Sequence, residues 1–432
     1  MATAPVPPRR DARPLYCLFT ATAVGQAGNM MTVVAGPWFV LELTGSPAKT
    51  GLVGAALVLG GVVPAVLGGP LVDRLGFKRG SVLADLGSAL TVAAVPLLHL
   101  AGVLEFWHLL VLVFVLSSIN TQGDTARYGL VPALARAAGM TRERVNSVDR
   151  ATVRFGSLVG PLVAGLLIAL IGAPNVLLVD AGTFLVSAAV IAVGVPERFD
   201  RARDADAPVR SDYGAALRAG LRFVVRSHLL LSMVLIATIG NALDKPLTTV
   251  VAPVYAREVF DSAGALGLMV GAFGGGALVG TLAFGAVGRR WPRRLTFLCC
   301  FVASPAVGFG ALALTPSLAV VVAAVFVAGL LAGPINPIYE TVIQEHTPPE
   351  MLGRVFGTIT ALALVLIPVG SVLAGVSIQR FGTVPTIVGM GVVYLLVTLG
   401  AFLNPRLRAM DVSAGEALVD QVADRGALRT TP

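Results

Sequence analysis

Acidic side chains interrupt several long apolar runs of this 432-residue sequence. A charge in a hydrophobic environment is costly, and a charged residue inside an apolar run is therefore a functional hypothesis by default. A carboxyl group at such a place can bind and release a proton, and this chemistry can couple a proton gradient to another process. The candidates for proton binding are Asp124, Glu340, Asp244 and Asp180.

Asp124 and Glu340 are preferred because they occupy corresponding places in two similar stretches. Each acid lies eight residues before a proline, Pro132 or Pro348. Proton coupling requires a carboxylate that alternates between the protonated and the ionised form. A static ion pair or an interfacial cap is the alternative for each acid, and the sequence leaves it open.

Two other charged pairs favour a structural interpretation. Asp85 and Arg127 lie in neighbouring apolar runs, and we interpret them as a structural ion pair. Asp244 is followed directly by Lys245, and these two side chains can instead reach the outer edge of a membrane.

Polar and aromatic side chains inside the apolar runs are candidates for contact with a small molecule. Gln26 and Asn29 can hydrogen-bond a substrate across a cavity or bridge neighbouring helices, and both interpretations stay open. The cavity and substrate candidates are Gln26, Asn29, Trp38, Asn120, Asn336 and Tyr339.

The elements that must position these side chains follow from composition. The chain is 56% hydrophobic and 13% charged, and its mean hydropathy is +0.83. Soluble proteins carry about 25% charged residues, so the composition excludes an ordinary soluble enzyme. Runs of about 20 apolar residues are long enough to cross a bilayer as helices. The twelve predicted spans are residues 15–43, 48–73, 80–101, 106–131, 147–171, 175–194, 226–256, 263–287, 295–314, 317–343, 353–379 and 383–404.

Lysine and arginine concentrate in every second loop between these spans, which predicts that both termini are cytoplasmic in a multi-pass protein of the cell (inner or plasma) membrane. The predicted fold is an all-α membrane protein of twelve transmembrane helices in two six-helix pseudo-repeated halves. A short amphipathic surface helix is expected at the end of the polar linker. The expected segments are an N-terminal tail over 1–14, halves over 15–194 and 223–404, a cytoplasmic linker over 195–222 and a C-terminal tail over 405–432.

An internal repeat supports the two halves. The segment RVNSVDRATVRFGSLVGPLVAG matches RVFGTITALALVLIPVGSVLAG without gaps, so that Gly160 corresponds to Gly370. Asn120 and Asn336 each lie four residues before one of the two preferred acids. Matches in the same order indicate a duplication, an architecture that places the site between the halves near the membrane midplane.

Other classes of function lack a signal. The sequence contains no GxxxxGK[ST] phosphate loop and no catalytic triad or HExxH pattern, and its four histidines have no metal-ligand spacing. We therefore expect no enzyme activity, no cofactor and no metal. The net charge of +8 lies in short loops, where it acts as a topology signal and not as a nucleic-acid surface.

The loop GPLVDRLGFKRG, between the second and third spans, resembles the signature loop of the major facilitator superfamily. The resemblance implies a conformational latch, whereas an ordinary positively charged turn is the alternative. In the second half, GTLAFGAVGRR has Phe284 at the acidic position, so a second latch is weak or absent. The latch residues are Gly69, Asp73, Arg74, Gly76, Lys78 and Arg79.

The fifth span is similar to the antiporter motif of drug-exporting facilitators, through Gly156, Gly160, Pro161 and Gly165. Plain close helix contact is the alternative interpretation. Two further segments, LVPALARAAGMTRERVNS and IQEHTPPEMLGRVFG, resemble the branch that contains macrolide and multidrug efflux proteins and catecholate siderophore exporters.

This resemblance covers residues 15–405 and implies a proton-coupled exporter (antiporter) of hydrophobic small molecules such as antibiotics, working by alternating access. Its implied partners are a small-molecule substrate, protons and membrane lipids, and its implied state is a monomer. A siderophore or metabolite exporter, or an importer of the same fold, is the alternative within transport. A non-transporting membrane receptor or membrane enzyme is the alternative from another class. Multidrug relatives often carry an acid in the first span. The corresponding stretch here, GQAGNMMTVVAGPWF, has Gln26 and Asn29 but no acid, and this departure weakens the expectation of cationic drugs.

Overall fold

The computed structural model describes residues 11–67, 75–199, 213–288, 291–314 and 317–411. These residues form helices joined by short turns, and no strand occurs among them. The α-helices, in chain order, are α1 (Arg13–Thr44), α2 (Pro47–Leu67), α3 (Phe77–Leu100), α4 (Phe106–Ala138), α5 (Arg142–Ile171), α6 (Ala173–Gly194), α7 (Tyr213–Arg226), α8 (His228–Pro246), α9 (Ala252–Phe260), α10 (Ala263–Val287), α11 (Arg293–Leu314), α12 (Leu318–Ala332), α13 (Ile335–Glu345), α14 (Leu352–Leu364), α15 (Ile367–Phe381) and α16 (Thr383–Leu403).

Helix ends follow local signals in the sequence. Gly45 and Gly139 close α1 and α4 in the left-handed conformation, at φ 60° and φ 64°, where a residue without Cβ is unstrained. Thr141 caps α5, because its hydroxyl accepts from the backbone N–H of Arg144 at 3.4 Å.

Ten helical segments of the described chain are long and apolar enough to cross a membrane. Each coincides with one of the predicted spans, and three consist of consecutive helices without a long break, such as α8 and α9 around the π-helix Leu247–Val251. The two remaining predicted spans are helical as α1 and α2. Neither is among the ten: α1 carries Gln26 and Asn29 in its middle, and the second predicted span, 48–73, is described only as far as residue 67. The multi-pass helical fold is thus confirmed, and the count of twelve is confirmed only for ten spans.

The chain divides into two compact units. The first contains Met1–Ala207, Pro246–Gly271 and Ser371–Arg380, and the second contains Pro208–Lys245, Ala272–Gly370 and Phe381–Pro432. The first unit therefore includes short segments from the predicted second half. The predicted segment boundaries along the sequence stay a prediction.

The repeat is visible as one backbone contact that occurs in both units. In the first unit, a Cβ built on Gly160 would lie 2.6 Å from the carbonyl oxygen of Ala27. In the second unit, Gly370 approaches the carbonyl oxygen of Ala242 in the same way and even more closely. Glycine permits such contact between helix backbones, so the matched glycines have the same packing role.

The predicted surface helix at the end of the linker is present as α7. It packs on α14 so closely that a Cβ atom on Gly220 would lie 2.7 Å from the backbone carbonyl oxygen of Arg354. The rest of the linker between residues 200 and 212 lies outside the described residues.

Candidate functional site

A small polar cleft opens in the first unit between α1, α3, α4 and α6. Helix α4 supplies residues 120, 123, 124 and 127 to it, a spacing that places them on one helix face. Its lining residues are Gly25, Gln26, Asn29, Ala84, Asp85, Asn120, Gly123, Asp124, Arg127 and Phe184.

A buried ion pair lies on one side of the cleft. The guanidinium of Arg127 binds the carboxylate of Asp85, and the exposed fractions of the two side chains are 12% and 4%. The hydroxyl of Ser187 donates to the second oxygen of Asp85 at 2.7 Å and lies 3.0 Å from Arg127 Nη2. Ser81 Oγ accepts from Arg127 Nε at 3.4 Å. These partners link α3, α4 and α6 around the pair, and its structural role stays a prediction.

Asp124 lies on the open side of the same arginine. Its side chain is 62% exposed, and its Oδ1 is 3.9 Å from Arg127 Nη1. The guanidinium therefore stands between a buried carboxylate, Asp85, and a solvent-accessible one. Asp124 therefore lines the cleft outside the buried part of the network.

Amide side chains join α1 to the neighbouring helices at the cleft. Asn120 donates to Asn29 Oδ1 at 3.3 Å and accepts from Ser88 at 2.7 Å. Gln26 donates to Ser157 on α5 at 3.2 Å. Of the two interpretations of Gln26 and Asn29, the geometry supports both, since each side chain bridges helices and also lines the cleft.

Trp38 lies outside this cleft. Its ring is buried, its indole N–H donates to Glu42 at 2.6 Å, and the Arg257 guanidinium lies 5.9 Å from the ring centroid. The arrangement is a cation–π contact between α1 and α9. The structure thus places this predicted cavity residue in a polar cluster of the first unit and not on the cleft wall.

Asp180 is fully buried between α6 and α1. Thr32 donates to its Oδ2, and the Thr183 hydroxyl lies 3.0 Å from its Oδ1 and 2.8 Å from its backbone carbonyl oxygen. Neither threonine was among the sequence candidates.

In the second unit, Asp244 accepts a hydrogen bond from the Tyr394 hydroxyl at 3.0 Å. Tyr394 is buried, and its ring lies 5.5 Å from Phe301 and 6.3 Å from Phe309 between ring centroids. Asp244 is therefore hydrogen-bonded to a tyrosine that packs among aromatic rings.

The predicted partner of Asp124 in the repeat has a different environment. Glu340 and Asn336 on α13 are exposed, and among the described residues Glu340 makes no hydrogen bond or ion pair. The Tyr339 hydroxyl is buried with no hydrogen-bond partner in the described part of the chain. The corresponding acids of the two halves are thus both exposed, but an arginine stands beside only Asp124 within the described residues.

Half of the predicted latch can be placed. Gly69, Asp73 and Arg74 lie outside the described residues. Gly76 precedes α3 at φ 86°, and Arg79 lies 4.0 Å from the exposed Glu197. Lys78 is half-buried at the start of α3.

The glycines of α5 pack against two other helices. A Cβ on Gly156 would lie 3.0 Å from Gln26, and Gly160 meets Ala27, both on α1. Gly165 lies against Gly267 of α10, whose own hypothetical Cβ is 2.6 Å from the carbonyl oxygen of Pro161. The close contact predicted for this helix is therefore formed.

The hydroxyl partners of the buried acids had no signal in the sequence. Serine and threonine are frequent in apolar helices, where they usually bond their own backbone one turn earlier. Only the fold selects Ser187, Thr32 and Thr183 from the many hydroxyl side chains of the spans. Taken together, the cleft offers amide groups for a neutral polar ligand, Phe184 for an apolar one and a carboxylate for a proton.

Comparison with known proteins gives consistent matches along the chain. The family model described as "Transmembrane secretion effector" matches residues 4–424. A protein of Mycolicibacterium fortuitum named "Multidrug efflux pump Tap" is 34% identical over 408 residues, which cover 93% of this chain and 97% of that protein. The protein of the same name from Mycobacterium tuberculosis is 31% identical, with 94% and 97% covered. "Macrolide efflux protein A" of Streptococcus pyogenes is 22% identical, with 92% and 97% covered.

Solved structures match in fold. A mutant of the nucleoside transporter NupG aligns with a TM-score of 0.75 at 13% identity, covering 92% of this chain and 99% of that one. A bacterial homolog of the human lysosomal transporter Spinster, in an inward-facing and unoccupied conformation, aligns with a TM-score of 0.65 at 14% identity, covering 96% and 99%. At these identities the matches concern the fold alone.

Proposed function

Because the chain belongs to the transmembrane secretion effector family of the major facilitator superfamily, we propose that it is a proton-coupled exporter of hydrophobic small molecules such as antibiotics. The family match confirms the resemblance predicted from the loop and helix motifs, and its members are transporters and not enzymes. Export, proton antiport and the substrate class are our proposals.

One observation carries the coupling proposal. Asp124 is exposed to the cleft and lies 3.9 Å from Arg127, which is engaged by the buried Asp85. An ionised Asp124 attracts the guanidinium, and a protonated Asp124 leaves it to Asp85. The charge of Asp124 would thereby change the position of the Arg127 side chain, which contacts α3 and α6 from α4. A contact that differs between two states in this way can shift a conformational equilibrium.

The proposed cycle uses the proton gradient as its driving force. A proton from the outer side binds a carboxylate of the cavity, substrate leaves outward, and return to the inward-facing state releases the proton to the cytoplasm. Moving one charge across 100 mV contributes about 2.3 kcal/mol. We propose that Glu340 is the counterpart of Asp124 in the second half and that Asp244 is a further candidate for proton binding.

The residues that line the cleft support our proposal that the substrate has both polar and apolar groups. Asn29, Asn120 and Gln26 offer hydrogen-bond donors and acceptors, and Phe184 offers an apolar surface. The relatives named as multidrug and macrolide efflux proteins support antibiotics as the compounds to test first. We further propose a monomer in the cell membrane, with both termini in the cytoplasm and lipid around the apolar helices.

A susceptibility panel tests export. The protein is expressed in an efflux-deficient host and compared with Asp124→Asn and Glu340→Gln over antibiotics of several classes, including a macrolide. We expect wild type to raise resistance to at least one class and both variants to lose that protection at equal expression. Equal susceptibility of the wild type and the empty host across the panel would remove the export proposal.

Everted membrane vesicles test the coupling. Uptake of a protective compound into the vesicles is followed before and after a protonophore collapses the pH gradient. We expect uptake to stop at the collapse and to be absent in Asp124→Asn. Uptake that continues unchanged after the collapse would exclude proton antiport.

A further inference from the structure

A second buried carboxyl group lies in the first unit, apart from the Arg127 network. Asp180 has no exposed surface, and the hydroxyls of Thr32 and Thr183 bond its two oxygens. Among the described residues no basic side chain forms an ion pair with it. Hydrogen bonds from neutral hydroxyls offset only part of the cost of burying a carboxylate ion, which favours the protonated, neutral form of the group.

The titratable side chains on the helices that pack against α6 have other partners or lie elsewhere along their helices. On α3, Asp85 is already in an ion pair and His99 lies against a phenyl ring at 5.2 Å between centroids. On α1, Glu42 accepts from an indole. Asp149 lies near the start of α5, and Asp180 lies near the start of α6, which follows the end of α5. The two acids are therefore near opposite ends of α5. A proton bound to one carboxylate oxygen neutralises Asp180 and leaves both threonine hydroxyls within hydrogen-bond distance.

Two glycines of α1 leave space for the side chains around Asp180 and for those around Asp85. A side chain at Gly28 would collide with Thr183 and with Asp180 itself. A side chain at Gly25, one turn away on the same face, would lie 3.5 Å from Arg127 and 3.7 Å from Ser187. The α1–α6 interface therefore holds polar groups at two successive levels.

The inward face of α6 connects these levels to the cleft. Asp180, Phe184 and Ser187 are spaced as i, i+4 and i+7, and all three are buried. Phe184 lines the cleft, and Ser187 donates to Asp85. Asp180 thus lies about 10 Å along the helix from the level of the ion pair, at 1.5 Å per residue.

We infer that Asp180 is a second proton-binding site of this protein, held by Thr32 and Thr183. The inference rests on the proposed function, since it assigns the site to a proton-driven cycle. A proton adds to the carboxylate to give the neutral carboxyl, whose O–H then donates to a threonine oxygen. Both hydroxyls can rotate between donating and accepting, so the cage accommodates each form of Asp180. With the predicted orientation, Asp180 lies towards the outer side and Asp124 towards the inner side of the same half.

Infrared difference spectroscopy tests the site without a transported compound. The purified full-length protein in lipid is titrated with acid, and the C=O stretching band of protonated carboxyl groups is followed. We expect a band that appears in the wild type and is missing in Asp180→Asn, because asparagine keeps the hydrogen bonds to both threonines but has no carboxyl group. Thr32→Val, which removes one hydrogen bond, should shift the frequency of that band. The inference is overturned if wild type and both variants give the same titrating bands.

Two further comparisons keep the outcomes separate. Asp261→Asn is the matched control, because Asp261 is exposed at the end of α9 and its left-handed conformation, at φ 43°, suits asparagine. Gradient-driven export should be lost in Asp180→Asn and kept in Asp261→Asn. If the wild type shows no gradient-driven export but the Asp180 band titrates, the proposed function fails and the proton site stands. If export is proton-driven and unaltered in Asp180→Asn, the coupling role of Asp180 fails alone.

Discussion

Arg127 of α4 forms an ion pair with Asp85 of α3 in the interior of the first unit. The two residues lie 42 positions apart in the chain, and Ser187 of α6 closes the same network. The pair therefore joins three helices beside the cleft. We expect its loss to lower the stability of the protein more than it changes contact with a substrate.

Replacement of Asp85 by alanine should destabilise the protein by about 3–5 kcal/mol, because it leaves the buried guanidinium of Arg127 with only the more distant, exposed Asp124 at 3.9 Å. The measurement is thermal or denaturant unfolding of the purified protein in detergent. The double variant Asp85→Ala/Arg127→Ala is the control, and it should be more stable than Asp85→Ala alone. Similar stability of Asp85→Ala and the wild type would show that the pair has no structural role.

Gly160→Ala and Gly370→Ala should each destabilise the protein by roughly 1–3 kcal/mol, the usual cost of overpacking. The added Cβ meets a backbone carbonyl, of Ala27 or Ala242, which cannot rotate away as a side chain can. Gly182→Ala is the matched control, since nothing lies within 4 Å of its hypothetical Cβ. Thermal unfolding checks all three, and equal melting temperatures would contradict the shared packing role of the matched glycines.

Tyr394→Phe should cost about 0.5–1.5 kcal/mol of stability, the net contribution of one hydrogen bond. The ring keeps its contacts with Phe301 and Phe309, so the change isolates the 3.0 Å bond to Asp244. Unfolding of Asp244→Asn and of the double variant completes the cycle. If the effects of the two single changes add in the double variant, the hydrogen bond contributes nothing measurable.

A short bifunctional thiol reagent should join cysteines placed at positions 46 and 379, because Ser46 Oγ lies 3.0 Å from Gln379 Oε1 within the first unit. The native cysteines, Cys17, Cys299 and Cys300, are first replaced by alanine. If alternating access separates these two helix ends, cross-linking should abolish transport, whereas each single cysteine variant treated with the same reagent should keep it. Full transport after complete cross-linking would show that α2 and α15 stay together through the cycle.

The positions of most helices follow from sequence, because burial in a bilayer demands long apolar runs and each run is a local property. The runs from residue 80 to 194 and from 226 to 404 correspond to the ten helical segments that are long and apolar enough to span a membrane. The first run is the instructive difference. Its Gln26 and Asn29 lower its hydropathy, yet it forms an uninterrupted helix because its polar groups find partners on α4 and α5.

The sequence by itself determined the class of protein and the list of charged residues that need an explanation, and it predicted a duplication. It could not rank those residues, because the repeat placed Asp124 and Glu340 at equivalent positions whereas only Asp124, among the described residues, has an arginine beside it. Tertiary structure alone decided which hydroxyl groups meet the buried acids. Thr32 and Asp180 are 148 residues apart, and Ser187 and Asp85 are 102 residues apart. No local pattern encodes such contacts, since they depend on which helix faces come together when the spans pack.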